Sequence, residues 1–307
     1  MLTNFFGKSS PVNFIIVSLY FIIGYIIWEN SLKKESFDLQ YFSDKGMMIA
    51  LCVLMILLLD FIIRKNRLTD TNSYSILIFG SFLLMVPDLF SEKNMLLSNF
   101  FLLLALRRIL SVQSGKNLFK KILDASIWIS VATLFYFWSI LCFIPLLFSI
   151  ILISNINYRH FLIPISGVGT VFVLVSTYYA FSDNNFFWFS NIDTTFSFNF
   201  LPYKDIHLLL LVIIIFVIVV WLTIRWLIYY PQTPKKNKPN FMILLVVLFS
   251  YLGIVILSEE KSGAEFFFLF APISILFANY IEKINTKWIK EFILWAVVIV
   301  PIVILFL

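Results

Sequence analysis

Residues 208–224 read LLLLVIIIFVIVVWLTI, an apolar run that contains no charged residue. The first flanking charges are Asp205 and Arg225, and the stretch 205–228 is long enough to cross a bilayer as one helix, which needs about 20 mostly apolar residues. A helix on the surface of a soluble protein has a polar face toward water, and this run has none. The run therefore predicts a transmembrane helix.

The composition extends this prediction to the whole chain. Apolar residues make up 61% of the 307 residues and charged residues only 13%, whereas a soluble domain carries roughly 25% charged residues because its surface must be hydrated. The 36 Phe and 8 Trp also suit acyl chains and the headgroup boundary. The predicted fold class is all-α: a polytopic bundle of transmembrane helices that forms a single integral membrane domain over residues 1–307, with no soluble domain.

Apolar stretches of similar length recur along the chain and predict about eleven spans, within a range of roughly 10–12. Residues 122–155 form one span or two; as one helix they would be about 50 Å long, so two short helices that turn near residues 137–139 are predicted. The predicted spans are 12–28, 47–63, 73–90, 94–110, 122–137, 139–155, 161–181, 205–228, 241–257, 265–281 and 288–307.

The charged residues predict the orientation of these spans. If the N-terminus is cytoplasmic, 17 of the 23 Lys and Arg residues fall in cytoplasmic segments, as the positive-inside rule requires. Twelve of the 17 acidic residues fall on the opposite side. An N-in/C-out arrangement follows, and the outer acids either keep the outer loops hydrated or form a functional acidic surface.

Several classes of partner are excluded by what the sequence lacks. No G-x-x-x-x-G-K-[ST] motif is present, so no nucleotide is expected as a partner. The basic residues lie in short loops between apolar runs, which argues against a nucleic-acid partner. The centres of the spans are nearly free of ionisable residues, and no buried charge is expected. Ion-coupled transport usually needs such groups, and a transporter is therefore only the third hypothesis.

Carboxylates and lysines gather in the predicted outer turns. Carboxylates at the end of a helical bundle can hold a divalent cation or act as a general base, and lysines bind phosphate. Glu265 belongs to the same outer turn as Lys261. The catalytic candidates are Glu29, Asp38, Asp88, Glu92, Glu259 and Glu260, and the phosphate-binding candidates are Lys93 and Lys261.

This layout resembles the polyprenyl-phosphate-dependent glycosyltransferases of the GT-C fold. Those enzymes also begin in the cytoplasm, have many spans and place an acidic catalytic residue in the first outer loop. The resemblance implies a transferase that acts on a polyprenyl-phosphate-linked substrate at the outer leaflet, with Glu29 or Asp38 in the catalytic role. It also implies a divalent cation, and without the transferase no cofactor or metal is expected. The first outer loop is much shorter here than in that family.

Four segments carry a second resemblance: MLTNFFGKSSPVNF at 1–14, NFFLLLALRR at 99–108, YRHFLIP at 158–164, and EFFFLFAP with NYIE within 265–282. They resemble an uncharacterised family of polytopic inner-membrane proteins from Bacteroidota-type bacteria. The resemblance covers nearly the whole chain and implies the inner membrane of a Gram-negative bacterium.

The leading functional hypothesis is a non-catalytic subunit of a cell-envelope, secretion or motility complex. Its basis is that short loops, the lack of a nucleotide motif and the expected lack of buried charge leave only helix surfaces and an outer rim for function. Membrane lipid and other membrane-protein subunits are the expected partners. The transferase is the alternative hypothesis.

Overall fold

The computed structural model describes residues 2–31, 39–153, 156–182, 194–259 and 261–306. Within these ranges the chain is helical and has no β-strand. The α-helices are α1 (Leu2–Phe6), α2 (Pro11–Ser31), α3 (Leu39–Asn66), α4 (Tyr74–Leu83), α5 (Lys93–Val112), α6 (Leu118–Phe135), α7 (Phe143–Ile151), α8 (Tyr158–Ser182), α9 (Ile206–Tyr229), α10 (Lys238–Leu257), α11 (Phe267–Glu282) and α12 (Lys287–Phe306).

In the described ranges, eight helical segments are long and apolar enough to cross a membrane. The prediction of an all-α, multi-helix membrane protein is confirmed at this level, while the count of about eleven spans and the N-in/C-out orientation stay predictions. The eight segments are Pro11–Asn30, Ser43–Asn66, Lys93–Val112, Tyr158–Ser182, Ile206–Gln232, Lys238–Leu257, Ala264–Glu282 and Lys287–Leu305.

Three predicted spans differ from the helices that the chain forms. The span 73–90 contains only the 10-residue helix α4, about 15 Å long, because the residue before Pro87 disfavours helix and a 3₁₀ helix, Pro87–Phe90, follows. Residues 122–155 do form two helical segments, since Tyr136 is extended at φ −146° and ψ 108°. The second, Phe137–Ile151, is shorter than a span. The first, α6, includes Lys120, Lys121 and Asp124 and is not among the eight segments.

The chain forms two compact units. The first unit comprises Met1–Leu96, Asn199–Asn237 and Lys261–Leu307, and the second comprises Leu97–Phe198 and Lys238–Glu260. Each unit is therefore assembled from segments that are distant in the sequence. The prediction of one integral membrane domain over residues 1–307 stays a prediction.

Helices α4 and α11 form the centre of the first unit. Every residue of α4 is buried, and the ring centroids of Phe82 and Phe270 lie 5.5 Å apart across the two helices. A Cβ atom on Gly80 would lie 2.6 Å from Cγ1 of Val17, so α2 crosses α4 at close range. This packing fixes α11 and, with it, the residues at its two ends.

In the second unit, α6 packs along α8 and α7 packs against α10. The Arg108 guanidinium forms a 2.8 Å ion pair with Asp124, which links α5 to α6. The Tyr136 hydroxyl lies 2.7 Å from Oγ of Ser258, where the chain leaves α10. These bonds join helices whose hydrophobic faces are already packed together.

Candidate functional site

A tight turn precedes α11 in the first unit. Gly263 has a φ of +93°, a conformation that residues with a Cβ atom rarely adopt, and an added Cβ would lie 2.7 Å from Cδ2 of Leu208. The chain then forms a short 3₁₀ helix, Ala264–Phe266. Glycine is needed at this position, and the turn that it permits places Lys261 and Glu265 in the interior.

Glu265 is a carboxylate enclosed by protein, with 0% of its surface exposed. The Tyr203 hydroxyl donates a hydrogen bond to its Oε1 atom, and the backbone amides of Gly263 and Glu265 lie near the same carboxyl group. Its Oε2 atom has no hydrogen-bond partner among the residues that the structure describes. Buried polar atoms are nearly always hydrogen-bonded, and an oxygen without a partner therefore distinguishes this carboxylate from an ordinary structural one.

Lys261 adds a buried amine to the same turn. It is only 4% exposed, and its Nζ atom lies 5.2 Å from the ring centroid of Phe200. Burial lowers the pKa of Lys261, and the nearby Glu265 carboxylate acts in the opposite direction. Lys261, Glu265, Tyr203 and Phe200, here called the buried cluster, bring a cationic and an anionic group together out of water.

Contacts within the first unit link the first two predicted outer turns to the turn that contains Glu265. The Tyr25 hydroxyl donates a 2.8 Å hydrogen bond to Oε2 of Glu29, and the Tyr25 ring lies 4.2 Å from the Phe90 ring, centroid to centroid. The 3₁₀ helix that contains Phe90 packs against the 3₁₀ helix that contains Glu265. The segments that bear Glu29 and Glu265 are therefore linked through Phe90.

The predicted phosphate ligand Lys93 is already paired with an acid. Its Nζ atom lies 2.6 Å from Oδ2 of Asp44, and both side chains are exposed. The neighbouring Glu92 is half-buried, and Nζ of Lys45 donates a 2.9 Å hydrogen bond to the Phe90 carbonyl. These contacts hold α3 against the turn before α5 and the first residue of α5.

The remaining catalytic candidates do not come together in the described part of the chain. Glu259 is exposed in the second unit, where its carboxylate accepts a hydrogen bond from the Thr195 hydroxyl. Asp38 and Glu260 lie outside the described residues, and only the backbone of Asp88 is described. Their assignment as catalytic candidates stays a prediction.

A divalent cation does not fit the buried cluster. Calcium and magnesium need several oxygen ligands, whereas the cluster combines one carboxylate with an amine whose protonated form repels a cation. Among the described residues, no group of three or more His, Cys, Asp or Glu side chains is arranged to hold a metal ion. The cluster therefore combines a buried amine, a buried carboxylate and one carboxylate oxygen without a described hydrogen-bond partner.

The sequence places Lys261 and Glu265 in one outer turn, but it gave only Lys261 as a site candidate and did not reveal Tyr203 or Phe200. Glu265 stands next to the apolar run FFFLF, and an ionisable residue at the edge of a span is a signal that could have found it. The contact with Tyr203 joins residues 62 positions apart, and no local pattern reveals it. The expectation of no buried charge is wrong, because Lys261 and Glu265 are both buried.

A family model described as a family of unknown function, DUF6427, matches residues 1–307. The chain belongs to this family. The match confirms the expectation of an uncharacterised family that covers the whole chain. Neither the curated proteins nor the solved structures contain a match to it. For this DUF6427 protein, the geometry of the buried cluster is therefore the basis for assigning a function.

Proposed function

We propose that this protein binds the phosphate-bearing head of a polyprenyl-phosphate-linked substrate at the outer leaflet of the bacterial inner membrane and acts on it as a GT-C-like transferase. One observation carries the proposal: Glu265 is fully buried with an unpartnered carboxylate oxygen, in the same turn as the buried Lys261. This buried charge removes one of the three reasons for preferring a subunit without a ligand site.

The buried cluster offers complementary groups to such a substrate. The Lys261 ammonium attracts a phosphate, and Oε2 of Glu265 accepts a hydrogen bond from a hydroxyl group. Tyr203 holds the other carboxylate oxygen and so fixes the orientation of the acceptor. Because the cluster is shielded from water, each of these charge-assisted bonds is stronger than it would be at the surface.

The transfer step needs only the cluster, the lipid-linked sugar and a second substrate that bears an acceptor hydroxyl. The oxygen of an acceptor hydroxyl attacks the anomeric carbon of the lipid-linked sugar, and a new C–O bond forms as the bond from that carbon to the phosphate oxygen breaks. The electron pair of the broken bond leaves with the polyprenyl phosphate, whose charge Lys261 offsets. The hydroxyl proton passes to Glu265, the general base.

The non-catalytic subunit of a cell-envelope, secretion or motility complex is the second candidate. It is favoured by the local engagement of rim residues, since Glu29 accepts from Tyr25, Lys93 pairs with Asp44, and Glu259 accepts from Thr195. These contacts suit a rim that stabilises turns and presents a surface to other subunits. Co-purification in a fixed ratio with other membrane proteins, in the absence of lipid-phosphate binding, would favour this candidate.

Binding of undecaprenyl phosphate to the detergent-purified protein, followed by native mass spectrometry, tests the proposed function. Lys261→Gln should weaken binding by roughly tenfold or more, because a charge-assisted bond is worth about 1.5–3 kcal/mol. Glu265→Gln should abolish transfer but leave phosphate binding largely intact, since its charge is not what attracts the phosphate. Lys204→Gln, a change at an exposed lysine of the same unit, is the matched control.

Two results would overturn the proposal. Unchanged binding by a folded Lys261→Gln variant would remove the phosphate contact, and equal weakening by Lys204→Gln would show that any positive charge suffices. The elution profile and far-UV circular dichroism of each variant report whether it is folded.

A further inference from the structure

At the other end of α11, two cations are held by aromatic rings. The Arg225 guanidinium carbon lies 4.6 Å from the ring centroid of Trp221 and 5.3 Å from that of Tyr280. Nζ of Lys283 lies 4.4 Å from the ring centroid of Tyr229. Tyr280 of α11 therefore contacts the Arg225 cation of α9, and Tyr229 of α9 contacts Lys283, the residue that follows α11. These five residues are here called the cation–aromatic cluster.

The acids of the described part of the chain do not form ion pairs with these cations, although burial lowers the pKa of Lys283 and the adjacent Glu282 carboxylate acts in the opposite direction. Arg225 and Lys283 form no ion pair with a described carboxylate. Glu282 is next to Lys283 in the chain, but its carboxylate accepts a 3.0 Å hydrogen bond from the Asp70 amide and another from the Asn72 side chain. The Glu282 carboxylate is thus hydrogen-bonded to the loop that contains Asp70 and Asn72.

Contacts with aromatic rings orient a cation without cancelling its charge. The ring faces attract the guanidinium and the ammonium, but they accept few of the N–H hydrogen bonds that these groups can donate. Arg225 is half-buried and Lys283 is exposed, so donors of both remain able to reach an anion. The cluster is prepared for a ligand with several negatively charged oxygen atoms.

The surroundings of the cluster have the composition of a membrane–water boundary. Trp226 and Tyr230 stack at 4.7 Å in the last turn of α9 and just after it, and Trp288, at the start of α12, is 80% exposed. Tryptophan and tyrosine concentrate at the level of lipid headgroups. Further basic residues follow in the same unit: Lys235, Lys236, Lys287 and Lys290.

We propose that the cation–aromatic cluster is a binding site for the phosphate of an anionic phospholipid, such as phosphatidylglycerol. The guanidinium of Arg225 donates to two phosphate oxygens, and Lys283 supplies a second charge from the neighbouring helix. The rings of Trp221 and Tyr229 hold these groups at headgroup level. The site uses no residue of the buried cluster, which lies beyond the far end of α11, a helix about 24 Å long.

Native mass spectrometry with phosphatidylglycerol and phosphatidylcholine tests this site. Arg225→Gln and Lys283→Gln should each weaken phosphatidylglycerol binding about fivefold, and the double variant roughly 20-fold, since each basic residue near an anionic surface contributes about that factor. Phosphatidylcholine binding should not change. Lys204→Gln, which removes an exposed lysine of the same unit, should behave as the wild type.

Three outcomes would overturn the inference. They are unchanged phosphatidylglycerol binding by the double variant, equal weakening by Lys204→Gln, and binding of inorganic phosphate as tight as that of the lipid, which would indicate a site for free anions. If Arg225→Gln does not fold, Lys283→Gln carries the test alone, because Lys283 is exposed and its loss leaves no buried cavity.

Discussion

The two ends of α11 present two carboxylates in opposite situations. Glu282, at the last turn, accepts hydrogen bonds from the Asp70 amide and the Asn72 side chain, and Nζ of Lys290 donates a 3.1 Å bond to its carbonyl oxygen. Glu265, just before the first turn, accepts one bond from Tyr203 and leaves its other oxygen without a described partner. The Glu282 carboxylate thus accepts two hydrogen bonds, both at Oε1, and the Glu265 carboxylate accepts one from a side chain.

This difference separates a stabilising role from a binding role. Loss of Glu282 would leave loop donors without an acceptor, whereas the buried Glu265 already lacks one donor in the described part of the chain. A buried polar atom without a partner lowers stability, and sites that bind polar ligands commonly contain such atoms. Mutations at the Glu282 end should therefore act mainly on stability, and mutations at the Glu265 end should act mainly on phosphate binding or on transfer.

The largest expected effect is that of Glu282→Ala. Loss of its two carboxylate hydrogen bonds should lower the free energy of unfolding by about 2–3 kcal/mol, because two donors lose their acceptor. Glu265→Gln should change it by less than about 1 kcal/mol, since the amide oxygen can still accept from Tyr203. Thermal unfolding in detergent, followed by tryptophan fluorescence, measures both. Equal losses would abolish the distinction between the two ends.

The turn at Gly263 should give the next largest effect. Gly263→Ala should cost about 1–3 kcal/mol, because the residue has a positive φ and a Cβ atom would meet Leu208. It should also weaken undecaprenyl phosphate binding by moving Lys261. Gly46→Ala, within α3 and with no atom near the added Cβ, should be neutral or slightly stabilising. The prediction is wrong if the two variants unfold at the same temperature.

A smaller effect is expected where the N-terminal helix α1 meets α12, the helix that follows Glu282 in the chain. The Glu291 carboxylate accepts hydrogen bonds from the Leu2 and Thr3 amides and from the Thr3 hydroxyl. Glu291→Gln should cost about 1 kcal/mol, since it removes the charge that favours the helix N-terminus. Hydrogen–deuterium exchange should become faster in α1 and stay unchanged in α4; no change in α1 would show that this contact is dispensable.

Tyr203→Phe should have the smallest effect on stability and sharpens the comparison most. Loss of one hydroxyl should lower the free energy of unfolding by roughly 0.5–1 kcal/mol. The rate of transfer should fall severalfold, because the Glu265 carboxylate would no longer be held in one orientation. Tyr178→Phe, which changes an exposed tyrosine, is the control and should affect neither property. A Tyr203→Phe variant that unfolds readily and transfers normally would show a purely structural role.

Much of the helical architecture could be predicted because uncharged runs of sufficient length are a local signal. The run 208–224 became part of α9, and the predicted break within 122–155 occurs at Tyr136. The stretch 73–90 is not the one continuous helix that was predicted, because its apolar content hides the helix end near Pro87. Hydropathy records how apolar a segment is but not where its backbone stops being helical.

The candidate site could be predicted only in part. Lys261 was recognised because a lysine in an outer turn is a local feature, and Glu265 was visible in the same turn. Tyr203 and Phe200 could not be found, because their contacts with α11's preceding turn depend on the packing of α9 against α11. The same packing brings Arg225 to Tyr280, a pairing that no spacing within the sequence indicates.

The most direct test of the difference between the two ends compares Lys261→Gln with Lys283→Gln in one experiment. Both variants are titrated with undecaprenyl phosphate and with phosphatidylglycerol, and bound lipid is counted by native mass spectrometry. Lys261→Gln should lose undecaprenyl phosphate and keep phosphatidylglycerol, and Lys283→Gln should do the reverse. Equal loss of both lipids by both variants would contradict the assignment of separate sites to the two ends of α11.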